Sequence, residues 1–228
     1  MGNIYDDFLR RMNQYRLKLK LTQSETSDLL GTTQSQFSKM ELGKTIIPYE
    51  ILERMLEIGW DIDYLIIEKK KPDWENNITD FLDIEPQYMW EKAGAVLLWV
   101  MREMLNQSDA FADEDINCEF ELLKLVTFQE TSNSLLLELR TIMGISQIMM
   151  AEQLGVNIKK YRDLEKGNKN LDAELLAVIY ELTSCRPQLF FHHGSLKMYL
   201  LNDLWNRLNE ERQQKIILLL KQAIDLCK

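Results

Sequence analysis

Turn-forming residues are scarce: the 228-residue chain holds 9 Gly and 4 Pro. An all-β sandwich needs turns at close intervals, so that supply argues against one. Cysteine is scarcer still. Cys118, Cys185 and Cys227 stand far apart, and no two have metal-ligand spacing. An odd count fits a reducing compartment better than a disulfide framework. The only histidines, His192 and His193, are adjacent and are followed by Gly194. They have no third ligand nearby, so they read as a linker. No apolar run approaches the length of a membrane span; AGAVLLWVM and IILLL are the longest. The amino terminus, MGNIYDDFLRR, lacks an apolar signal core. Asp6 stands where myristoylation of Gly2 wants Ser or Thr. With no nucleotide-binding loop either, the expectation is a cytoplasmic protein that is not an enzyme, needs no cofactor or metal and does not meet a membrane.

What the chain has is helix-forming material. Hydrophobic residues make up 46% and charged residues 28%, and Leu, Met, Glu, Lys and Gln are frequent, which points to an all-α fold. The net charge of -9 is uneven. Residues 1–69 carry 9 basic and 11 acidic side chains, residues 70–132 carry 5 and 14, and residues 133–228 carry 13 and 11. Acidity gathers in the middle. Such a chain does not coat nucleic acid at large, but a local basic face remains open to it.

The chain also repeats itself. A shift of 124 residues places Arg16 on Arg140, Gln23 on Gln147, Leu30 on Leu154, Gly31 on Gly155, Glu41 on Glu165 and Gly43 on Gly167, without a gap. The matches fall where two linked helices have physical needs. Thr22 and Glu25 have capping-box spacing, which predicts a helix from Gln23 to about Leu30. Gly31 can take the left-handed conformation that turns the chain. Thr33, with Gln36 three residues on, predicts a second helix that turns Phe37 inward and stops before Gly43. In the second copy Ser146, Gly155, Asn157 and Gly167 take the corresponding places.

These stretches, LTQSETSDLLGTTQSQFSKMELG and ISQIMMAEQLGVNIKKYRDLEKG, resemble the Cro/C1-type (XRE-family) helix-turn-helix domain of phage repressors and bacterial regulators. Thr26, where the family usually carries Leu, and Met149, where Glu is common, depart from its pattern. The resemblance implies two lambda-repressor-like domains that bind double-stranded DNA. It implies structural ion pairs Arg16–Glu41 and Arg140–Glu165, and phosphate contacts from Gln23 and Gln147 at helix amino termini. It places Thr33, Gln34, Ser35, Gln36 and Lys39 at the DNA, where Gln suits adenine and Lys suits guanine, with Lys44 on phosphate. In the second copy Asn157, Lys159, Lys160 and Arg162 are the equivalents, joined by Ile158 and Asp163. That face is open to three readings: a base reader, a phosphate anchor, or a copy retained for packing.

The expected layout is residues 1–68 as the first helix-turn-helix domain, 69–132 as an acidic helical connector, 133–191 as the second domain and 192–228 as a carboxy-terminal helical segment. Trailing helices are expected over Ile51–Leu65 and Leu175–Phe190, connector helices over 87–106 and Glu119–Gln129, and tail helices over Asn202–Leu208 and Glu210–Lys228. SDAFADEDIN reads as an acidic break, and Lys69–Lys71 with Pro72 as a boundary. Surplus apolar residues in the tail, Ile216, Ile217, Leu218, Leu219, Leu220, Ile224 and Leu226, suggest a homodimer through that helix or packing on the connector. The functional expectation is a sequence-specific transcription regulator acting as a repressor. The alternative is a protein-interaction module of the antitoxin or anti-repressor type, with a partner at the acidic connector. A third reading, a ligand or peptide sensor, ranks below both.

Overall fold

A computed structural model of the chain describes residues 4–69, 78, 86–106, 114–128, 134–191 and 196–226. Its regular elements are all helical, so the fold is all-α; no strand occurs among the described residues. No described helix is long and apolar enough to cross a membrane. His192, His193, Gly194, Cys227, Lys70–Pro72 and most of the acidic break lie outside the described residues.

The first run is α1 (Ile4–Lys18), α2 (Gln23–Leu29), α3 (Gln34–Glu41), α4 (Tyr49–Glu57) and α5 (Ile62–Ile67). Local chemistry starts and stops them. Thr22 and Glu25 form a complete capping box on α2, and Thr33 and Gln36 form one on α3. Gly31 turns the chain between them at φ +60. That left-handed backbone is what favours glycine there, while the Arg54 guanidinium, whose Nη1 lies 1.6 Å from where a Cβ would stand, is the movable end of a flexible side chain. The stretch 51–65 is divided between two helices, α4 and α5. Gly59, at φ +85, breaks it and Asp61 caps α5. Arg11 on α1 closes the far end of α5: it donates through Nε to Leu65 O at 2.8 Å and through Nη2 to Ile66 O at 2.6 Å. Those carbonyls would otherwise be orphans of a helix end. Phe8, Met12, Leu30, Phe37, Ile47, Leu52, Met55, Ile62, Leu65 and Ile66 are buried.

Residues 86–128 give α6 (Pro86–Asn106) and α7 (Glu114–Phe128). α7 begins five residues before the expected start, so the last four residues of the acidic break are helical. A second run follows: α8 (Leu135–Met143), α9 (Gln147–Gln153), α10 (Ile158–Glu165) and α11 (Ala173–Thr183), then a 3-10 turn at Pro187–Phe191. α9 and α10 start 124 residues after α2 and α3 and have the same lengths, 7 and 8 residues. The trailing stretch 175–190 is likewise divided. Ser184 is left-handed at φ 57, and Pro187 cannot donate to a continuing helix. The chain ends in α12 (Leu196–Asn206) and α13 (Glu210–Leu226).

The grouping of these elements is not linear. One compact unit joins Met1–Lys71 with Ser134–Phe191; the other joins Pro72–Asn133 with His192–Lys228. In the first unit, α5 lies against the 3-10 turn and α11, and α1 also packs on α11. Ala173 N donates to Ile47 O at 3.0 Å. Asn170 Nδ2 donates to Glu50 Oε1 at 3.3 Å and Gln188 N donates to Asp63 Oδ1 at 2.9 Å. Tyr49 stacks on Phe191 with centroids 4.6 Å apart, and its hydroxyl donates to Phe190 O. Burial, aided by Glu53 and Glu50, pushes the Tyr49 hydroxyl up to about 12. In the second unit α13 packs on α6 and α12 on α7. Ile216, Ile217, Leu220 and Ile224 of α13 are buried, while Leu218, Leu219 and Leu226 stay exposed. Arg207 donates to buried Asp203 at 2.7 Å and reaches Glu119 at 3.5 Å.

Candidate nucleic-acid interface

The candidate surface is organised around a carboxylate in each run. Arg16 Nε meets Glu41 Oε1 at 2.7 Å, and Arg16 Nη1 donates to Leu21 O at 2.6 Å. This ties the end of α1 to the end of α3 and fixes the entry into α2. Gln23 Nε2 donates to Glu41 Oε2 at 2.6 Å. One of the two N–H donors of that amide is therefore used inside the protein in this structure, at the amino terminus of α2.

α3 presents Gln34, Ser35, Gln36 and Lys39 to solvent, with Phe37 and Met40 buried beneath. Thr33, at its head, accepts from Gln36 N. Gln36 Oε1 is engaged in return by Thr33 N at 3.3 Å and Thr32 Oγ1 at 2.9 Å. Its carbonyl oxygen is thus committed to the cap, which leaves Gln34, Ser35 and Lys39 as the outward polar set. Lys44 is exposed in the following loop, where its N–H and that of Thr45 both donate to Lys39 O. The loop after α10 does the same, Asn168 and Lys169 donating to Asp163 O.

The second run repeats the frame with different chemistry. Arg140 Nε meets Glu165 Oε1 at 2.6 Å, and Arg140 Nη1 donates to Ile145 O. Gln147 Nε2 also donates to Glu165, and Tyr161, standing at the place of Phe37, adds its hydroxyl at 3.0 Å. Burial pushes the Glu165 carboxyl up, but these three donors outweigh it and hold the group below its ordinary value. The Tyr161 hydroxyl is driven upward by burial and by the carboxylate beside it. Asn157 caps α10 by accepting from Lys160 N. Outside, the basic groups are largely occupied. Arg162 Nε donates to Gln147 Oε1 at 3.2 Å, and Lys160 Nζ lies 3.9 Å from Asp172. Lys159 is exposed. Ile148 and Met149 are exposed in the first turn of α9, so that helix start is more apolar than that of α2.

Two residues of this surface carried no signal in the motif alone. Arg54, from α4, reaches over the Gly31 turn. Lys169 pairs with Asp163 at 3.6 Å and offsets the acid on the α10 face. The lone Asp among basic neighbours was the available hint. Among the described residues no group of three His, Cys, Asp or Glu could hold a metal ion.

No curated protein matches the chain, and no solved structure matches it. A family model described as helix-turn-helix matches residues 12–58. That match spans α2, the Gly31 turn and α3 with their supports in α1 and α4, so this part of the chain is a helix-turn-helix domain.

Proposed function

We propose that the protein binds duplex DNA sequence-specifically and regulates transcription, as a repressor that acts by occupying its site. The observation that carries this reading is the outward set Gln34, Ser35 and Lys39 at the capped amino-terminal end of α3, within the helix-turn-helix domain. In such domains that end enters the major groove, where side chains of these types bond base edges. Residues 133–191 are proposed as a second domain of the same kind. Its α10 face, with Lys159 exposed and Arg162 and Lys160 held nearby, offers DNA a different set of side chains from that of α3. A mobility shift with a fragment from upstream of the protein's own coding region tests the proposal. A retarded band that survives competitor DNA supports it; no band at low salt sinks it.

A second reading has its own observation. Trp99 on α6 is 66% exposed and Leu218 on α13 is 60% exposed, both in the second unit. Exposed Trp is typical of protein-binding surfaces. An interaction module with a partner on that unit predicts that Trp99→Ala abolishes a protein complex while Gln34→Ala leaves it intact.

A further inference from the structure

We infer that the two helical runs of the first unit form a single-chain counterpart of a symmetric dimer, arranged to hold two unlike half-sites of one duplex in inverted orientation. The inference rests on the proposed reading of residues 133–191 as a second helix-turn-helix domain, and it adds the geometry of the target.

The argument turns on which surfaces meet. In a head-to-tail pair, different patches touch; in a two-fold pair, a patch meets its own equivalent. The shift of 124 residues holds through the caps Pro48 and Asp172 of α4 and α11. α11 runs on further than α4, and left-handed Ser184 then answers Gly59 at a shift of 125. Asp63 and Gln188 become equivalents, and they bond to each other directly. Their elements, α5 and the 3-10 turn, are likewise equivalents in mutual contact. The loops before α4 and α11 behave the same way. Ile47 bonds Ala173, the equivalent of Tyr49, and Glu50 bonds Asn170, the equivalent of Ile46. Both pairs straddle one point, Pro48 opposite Asp172.

The flanking contacts are reciprocal as well. Tyr49, at the head of α4, packs on the 3-10 turn through Phe190 and Phe191, while α5 packs on α11. One contact departs from this symmetry, the packing of α1 on α11. α1 begins at Ile4, whereas α8 begins at Leu135, the equivalent of Arg11. The additional turns of α1 carry Tyr5, whose hydroxyl accepts from Ile47 N.

Helix-turn-helix units related by a two-fold axis face inverted half-sites on one side of the duplex. Here the two faces differ: Gln34, Ser35 and Lys39 correspond to Ile158, Lys159 and Asp163. The target therefore has unlike halves, and one chain fills both.

The test uses the full chain to enrich duplexes from a random library, with the mass of the complex read by sedimentation. One chain per duplex is expected. Inserting five base pairs, about half a helical turn, between the halves is expected to weaken binding roughly tenfold or more. Because unlike halves hide their orientation, a variant carrying Ile158→Gln, Lys159→Ser and Asp163→Lys gives both runs the first run's face. It is expected to enrich a true palindrome. A direct repeat, two chains on each duplex, or an insertion tolerated within about twofold overturns this inference while leaving DNA binding in place. Failure to enrich any duplex overturns the DNA-binding reading and this inference with it.

Discussion

Glu165 shows how a single carboxylate can set the pH range of stability. Its folded value is depressed by hydrogen bonds from Arg140, Gln147 and Tyr161. A group depressed on folding stabilises the native state above its unfolded value of about 4.5, and that contribution is lost as pH falls through the folded value. Acid unfolding followed by circular dichroism is expected to steepen below about pH 4.5, and Glu165→Gln to flatten that dependence. At neutral pH the same substitution should cost about 1–3 kcal/mol, since Arg140 loses its charged partner. The outward residues of α3 should leave stability alone and change binding. Gln34→Ala is expected to lose about 1–3 kcal/mol at a selected site and little on random DNA. Lys44→Ala should weaken both, and lower the salt slope by about one unit. Titrations at several salt concentrations separate the two.

At the level of elements, the equivalence of the runs exposes a strained position. Lys20 adopts φ 58 at the place where the second run has Gly144 at φ 65. Left-handed backbone costs a non-glycine residue about 1–2 kcal/mol, partly offset by the freedom glycine adds to the unfolded chain. Lys20→Gly is therefore expected to raise stability by up to about 1 kcal/mol in urea unfolding. The helices of the motif were legible because their determinants are local. Thr22, Thr33, Ser146 and Asn157 act within four residues, and Gly31 and Gly155 turn the chain where they stand. The position of the break within 51–65 was harder to read, since Ile51, Leu52, Met55, Ile62 and Leu65 keep a helical spacing across Gly59. At the candidate surface, spacing could nominate Gln23 and Gln36 but not tell which atoms were spoken for. Glu41 lies 18 residues from Gln23, and the cap at Thr33 competes with DNA for Gln36.

Across the whole molecule, the pairing of the two runs left no trace in periodicity, because its partners stand more than a hundred residues apart. Asp63 illustrates the energetics. It is fully buried, accepts from Gln188 N and lies 3.9 Å from Arg186. Asp63→Ala would leave a buried N–H without its acceptor, at about 1–3 kcal/mol. Urea unfolding of the full chain measures that loss. A fragment holding residues 1–71 alone should not feel the substitution in the same way, since it contains neither Gln188 nor Arg186.

The interleaving of the units also has a consequence for birth on the ribosome. Residues 1–71 emerge first, yet the surface formed by Tyr49 and Asp63 finds its cover only in 134–191. At about 5–20 residues per second, synthesis of the intervening chain and the second run takes about 6–24 s. During that interval the helix-turn-helix domain is complete in its local helices and bare on one side. The second unit waits longer still, because α6 and α7 receive α13 and α12 only from the last stretch of chain. Nascent chains stalled near residue 130 should therefore resist protease in α2 and α3 and be cut around 46–66, and those stalled well beyond 191 should be protected at both.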